Sequence, residues 1–111
     1  MILHITRLSD WEGAQAAGDY RLDTLEQEGF IHCSTREQVL GPANEFYLGQ
    51  DDLVLLVIDP EQLAADLVYE DSYNSGVAFP HIYGPLNLDA VTHVVPFPHR
   101  PDGTFELPPL P

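Results

Sequence analysis

Three of the five histidines in this chain of 111 residues share a local pattern, an imidazole separated by one residue from a hydroxyl. The triplets are His4-Ile5-Thr6, His32-Cys33-Ser34 and His81-Ile82-Tyr83. Residues i and i+2 of a strand point to the same face, so each triplet presents its imidazole and hydroxyl together and turns its middle apolar residue to the core. Imidazole is the side chain best suited to move a proton near neutral pH, and a hydroxyl both donates and accepts. His4, His32 and His81 are therefore the candidate catalytic residues, with Thr6, Ser34 and Tyr83 as candidate binding groups. If the strands carrying the first two triplets are neighbours, their polar pairs would line one concave face.

Other chemistries fit less well. Cys33 follows His32 directly, so strand alternation sends the two side chains to opposite faces and removes the Cys-His nucleophile pairing. A buried free cysteine behaves as a small hydrophobe. Ser34 shares a face with His32 but lacks a nucleophile elbow and reads more simply as a helix cap. His4, His32 and His81 together would resemble a three-histidine zinc site with an open position. No His-x-His or His-x-x-x-His spacing supports it, and no metal is expected. His93 and His99, among the C-terminal prolines, read as surface residues.

The elements that must position these residues are legible in outline. Ile2 to Thr6 reads as a strand. Ser9 and Glu12 form a capping box for a helix that carries Trp11 and Ala14 inward and stops near Gly18. A polar, turn-like region leads to Gly29, and Phe30 to Ser34 is a second strand. Ser34 or Thr35 caps the next helix, with Glu37 closing a box over Ser34. Val39, Leu40, Ala43, Phe46 and Tyr47 form its apolar face, with a kink or restart expected at Gly41-Pro42. Leu53 to Ile58 is apolar without alternation, the mark of a strand buried on both faces. Asp59-Pro60 starts a short helix from Glu61 to Ala65, and Leu67 to Glu70 is another strand. Asp71 to Pro80 reads as a loop turning at Asn74, Ser75 and Gly76. Phe79-Pro80-His81-Ile82-Tyr83-Gly84-Pro85-Leu86 is either a rigid frame for a site or a corner between strands. Leu88 to Phe97 holds a short helical turn and a strand from Thr92 to Val95. Asp102-Gly103 turns the chain into a last strand, Thr104 to Leu107. Strands and helices mix without regular alternation, which makes the fold α+β, with a small doubly wound α/β fold as the alternative. Residues 1–107 form one domain, and residues 108–111 a frayed Pro-rich tail.

Eighteen acidic residues face four arginines and no lysine, for a formal net charge of −14. Such a chain repels nucleic acid and anionic lipid. The absence of lysine removes Schiff-base chemistry and the Walker-type phosphate loop. The single cysteine fits a reducing compartment. With no signal peptide and no apolar run long enough to span a bilayer, a cytoplasmic protein is expected. A monomer is the expected state and a dimer the alternative, with a small molecule or nucleotide as partner.

Leu3-His4-Ile5-Thr6, Asp10-Trp11, Glu28-Gly29-Phe30-Ile31-His32-Cys33-Ser34-Thr35, Leu53-Val54-Leu55-Leu56 and Phe79 to Leu86 together resemble a bacterial family known as domain of unknown function 952. The likeness runs from Met1 to about Phe105. That family in turn resembles the ADP-ribosyltransferase superfamily, which implies a split, mostly antiparallel β-sheet with flanking helices cradling NAD. In that superfamily a first-strand His followed two residues later by Ser or Thr holds a ribose hydroxyl of NAD, and His4 and Thr6 match it. A tyrosine stacks on nicotinamide, a role open to Tyr83 or Tyr47. The glutamate that steadies the ribosyl cation has no clear counterpart: Glu70 is a weak candidate, and His81 stands as an alternative in its place. The implied function is NAD or nucleotide binding with ADP-ribose transfer. The alternatives are a non-catalytic ligand or protein-interaction module on the same fold and a His-ligated metal hydrolase.

Overall fold

The computed structural model describes residues 1–21, 23–71 and 74–111, with the side chains at 23 and 24 left aside. The expected turn-like region before Gly29 at residue 22, and the expected loop at residues 72 and 73, lie outside the described residues. In chain order the elements are β1 (Ile2–Arg7), α1 (Leu8–Ala17), β2 (Asp19–Tyr20), α2 (Asp23–Glu28), β3 (Ile31–His32) and α3 (Leu40–Phe46). There follow β4 (Leu53–Ile58), β5 (Asp66–Glu70), β6 (Phe79–Tyr83), β7 (Leu86–Asn87) and β8 (Val91–Pro96), with 3₁₀ turns at Pro60–Gln62 and Leu88–Ala90. All strand pairs are antiparallel: β1-β4-β8, β3-β6-β5, and the short pair β2-β7. The class is α+β, and among the described residues no parallel βαβ unit supports the doubly wound alternative.

β4 is the central strand expected from its unbroken apolar run, and all six of its residues are buried. Val54, Leu56 and Ile58 enter one core with Ile2, Trp11, Ala14, Tyr20, Ile31, Cys33 and Ile82. Leu53, Leu55 and Val57 enter a second core on the other face with Leu3, Ile5, Val39, Ala43, Phe97 and Phe105. Each fully buried branched side chain contributes about 2 kcal/mol of transfer free energy, so the two-sided strand anchors the domain. The two larger sheets meet at a single bridge, where Leu3 and Ser34 exchange amide–carbonyl hydrogen bonds of 2.8 Å each.

Several local expectations are corrected. α1 begins at Leu8 with Arg7 as its N-cap, two residues too early for the Ser9–Glu12 box, and no side chain caps it. Instead the Leu8 amide donates to the Asp52 carbonyl at 2.8 Å, a tertiary bond that replaces the local cap. The second box is displaced by one residue: Gln38 Oε1 accepts from the Thr35 amide at 3.1 Å, while the Ser34 backbone is committed to Leu3. Pro42 lies in the first turn of α3, where its missing N–H would be free anyway, so α3 starts there without a kink. Asp59 does accept from the Glu61 amide at 3.0 Å, but only a 3₁₀ turn follows. Residues 104–107 form no strand. Phe105 is buried by stacking on Phe97 at 4.7 Å between centroids, and side-chain packing replaces ladder pairing there. Leu107 and Leu110 pack against the same core. α2 falls in the stretch expected to be a polar turn, and Gly29 ends it in the left-handed region with φ 85°.

Candidate functional site

The Leu3–Ser34 bridge decides where the triplets go. Residues directly opposite in an antiparallel pair share a face, so Ser34 lies on the Leu3 side and His4 on the other. His4 and Thr6 therefore face the core of α1 and Tyr20. His32 and Ser34 face the opposite side, and His81 joins them through its pairing with His32. The three triplets do not line one face: the structure brings His32 and His81 together, with rings 5.2 Å apart, and leaves His4 behind the sheet. A metal centre made of His4, His32 and His81 is ruled out by that register. Among the described residues no group of three or more His, Cys, Asp or Glu could hold a metal ion.

His4 is locked in a closed network. Its Nδ1 lies 2.6 Å from the His32 carbonyl, which can only accept, so Nδ1 carries the proton. Nε2 is then an acceptor for the Tyr20 hydroxyl at 3.1 Å, and Tyr20 in turn accepts from the Thr6 hydroxyl at 2.6 Å. The direction of every proton in the chain follows from that one carbonyl. In a continued β1–β3 ladder the Ile5 amide would serve this carbonyl, and His4 supplies the donor where the sheets split. Burial drives the His4 pKa down to about 4 against the opposing pull of the His32 carbonyl, so the ring is neutral. Burial likewise raises Tyr20 above its ordinary value. Cys33, buried in the core, has its thiol pushed up by the same effect, in keeping with an inert cysteine.

The second cluster lies on one face of β3, β6 and β5. His81 is buried and stacks on Phe30 at 4.1 Å and 17° between ring planes. Its Nδ1 bonds Glu70 Oε1 at 2.8 Å, across the diagonal of the β5–β6 pair. The same carboxylate oxygen accepts from the Tyr83 hydroxyl. Tyr83 first, and His81 second, hold the Glu70 carboxyl below the usual range, while Glu70 raises the Tyr83 phenol. His32 Nε2 meets Glu28 Oε2 at 2.9 Å, one helical turn back at the end of α2. His81 Nε2 is buried with no hydrogen-bond partner among the described residues. A buried polar atom left so costs on the order of 1–3 kcal/mol, which makes it the least explained group in the fold.

Two pockets adjoin these clusters. One, of about 660 Å³, is lined by His32, Ser34, Glu45, Tyr47, Phe79 and His81 among others. The other, of about 710 Å³, is lined by Thr6, Arg7, Asp10, Tyr20, Arg21 and Tyr47 among others. Ile5 and Tyr47 line both. Ser34 thus stands at the His81 pocket, Thr6 at the arginine pocket, and His4 lines neither. Tyr83 serves the site through Glu70. His93 is exposed and His99 pairs with Asp51 at 2.9 Å, both away from the site. Sequence reading missed Tyr20, Phe30 and Glu28 as working parts. Tyr20 gave no signal beyond being an aromatic in a polar stretch, and the Glu28–His32 contact joins the end of α2 to β3 across Gly29, a turn that the residue spacing does not announce.

Comparison with known proteins follows the same line. The profile of the family described as "Protein of unknown function (DUF952)" matches residues 5–94. The chain is similar to Protein CC0527 from Caulobacter crescentus. Its X-ray structure gives a TM-score of 0.86 at 36% identity, covering 96% of this chain and 93% of that one. A solution NMR structure of CC0527 gives a TM-score of 0.83 at 36% identity, covering 96% of this chain and 91% of that one. No curated protein matches.

Proposed function

This chain belongs to the DUF952 family, and from that premise we propose that it binds NAD or a related nucleotide and serves ADP-ribose transfer. The observation that carries the reading is the pair of unlike pockets sharing Ile5 and Tyr47. A dinucleotide has a flat heteroaromatic head and an anionic diphosphate, and it needs two such subsites. Arg7 and Arg21, two of the chain's four arginines, line one pocket and suit the diphosphate. Tyr47 between the pockets offers a stacking face. Glu45 in the other pocket, with Glu70 and Glu28 behind it, favours a cationic pyridinium ring. Ser34 and His32 flank the head, Thr6 with Tyr20 meets the tail from the first pocket, and His4 holds both in place. In the transfer step the bond from C1′ of the ribose to nicotinamide breaks, nicotinamide leaves with the electron pair, and the acceptor's nucleophilic atom bonds to C1′ and releases its proton to solvent. Glu45 lines this pocket, and Glu70, fixed by Tyr83 and His81 behind it, is a second carboxylate available to steady that developing positive charge.

An amide NMR titration with NAD tests the reading. Saturable shifts should cluster at residues 6–7, 32–34, 47 and 81. An unperturbed spectrum at millimolar NAD sinks it. The non-catalytic module has one observation in its favour, the exposed Phe46 and Val77 on the His81 pocket. Binding without nicotinamide release in mixed acceptors selects that second reading.

A further inference from the structure

Resting on the nucleotide reading of the His81 pocket, we infer that His81 makes this pocket accept a ring that carries a primary carboxamide, a neutral donor group, and reject the corresponding carboxylate. The reasoning starts from Glu70. An ionised carboxylate only accepts, so the 2.8 Å bond to His81 places the ring proton on Nδ1. Nε2 is then the lone-pair nitrogen, and it is this atom that lacks a partner among the described residues. The ring cannot easily turn away. It stacks on Phe30 at 4.1 Å and meets the edge of His32 at 5.2 Å, and a flip would break the Glu70 bond.

His81 lines the pocket with Nε2 closed to solvent, so a ligand pressed through to that atom must donate to it. A carboxamide does so with its NH₂, and its carbonyl oxygen is left for the Ser34 hydroxyl, which lines the same pocket. A carboxylate offers only lone pairs against a lone pair. It would also face Glu45 in the lining, with no arginine there and no lysine in the chain to neutralise it. Sites that pair a buried acceptor with a ligand donor reject analogues lacking the donor strongly.

The test compares nicotinamide with nicotinate, and NAD with its nicotinic-acid counterpart, by calorimetry on the full chain. The amide forms should bind at least tenfold tighter. In His81→Leu, with folding checked by thermal melt, the preference should collapse to near unity. In ¹⁵N-imidazole NMR of the wild type, the Nε2 signal should move upfield with the amide and stay in place with the acid, a readout that needs no variant. Equal binding of the two NAD forms to the wild type overturns this inference while leaving the nucleotide reading standing. Binding of neither overturns both.

Discussion

The His4–Thr6–Tyr20 network and the His32–His81–Glu70 cluster begin from the same local pattern and end as different objects. In the first, each ring nitrogen and hydroxyl that the geometry orients has a protein partner, and the imidazole is buried and neutral. In the second, a carboxylate fixes one ring nitrogen and the other is left over at a pocket wall. A closed polar network specifies how elements pack, whereas one with a spare buried group is an invitation to a ligand. What separates His4 from His81 is the count of partners.

The sharpest way to break this contrast is His4→Ala. It strands the His32 carbonyl and the Tyr20 hydroxyl and opens a cavity at the split between sheets. We expect a loss of about 3–4 kcal/mol in urea unfolding; a variant as stable as wild type would mean the network is not structural. Next comes acid. Because folding depresses the His4 pKa from 6.5 to about 4, the unfolded chain takes up the proton first. The contribution is complete above pH 6.5 and is lost as pH falls toward 4, by roughly 3 kcal/mol. Stability measured from pH 7 to pH 4 should show that slope in wild type, and His4→Gln should flatten it. Tyr20→Phe removes one hydroxyl and leaves its two partners, for about 1–2 kcal/mol; a neutral result would show that His4 and Thr6 repair the chain between themselves. The smallest effect belongs to the other cluster. His81→Leu removes a group that is already unpaired on one side and should shift stability by less than about 1 kcal/mol. A large destabilisation there would make His81 structural too and erase the contrast.

The family, the α+β class and the strands at Ile2–Arg7, Leu53–Ile58, Asp66–Glu70 and Val91–Pro96 were largely legible because each rests on local chemistry. An unbroken run such as Leu53–Ile58 has one good solution, burial on both faces. Cap registers were legible only to within one or two residues, since the Asp52 carbonyl and the Leu3 backbone, distant in sequence, satisfied groups that a local box would have served. The segment around Pro80 reads ambiguously because proline argues against a central strand. It is tolerated because the Pro80 carbonyl still receives the Cys33 amide at 3.0 Å, beyond the end of β3, where the missing donor costs little.

His32 and His81 as neighbours on one face, and His4 on the other, show where sequence stops. The sequence by itself determined that each imidazole would share a face with a hydroxyl, because a strand alternates with a period of two whatever surrounds it. Which face that would be, and beside which strand, was decided by the single Leu3–Ser34 bridge. Register is a relation between segments far apart in the chain, and a shift of one residue would have put His4 and His32 on the same face.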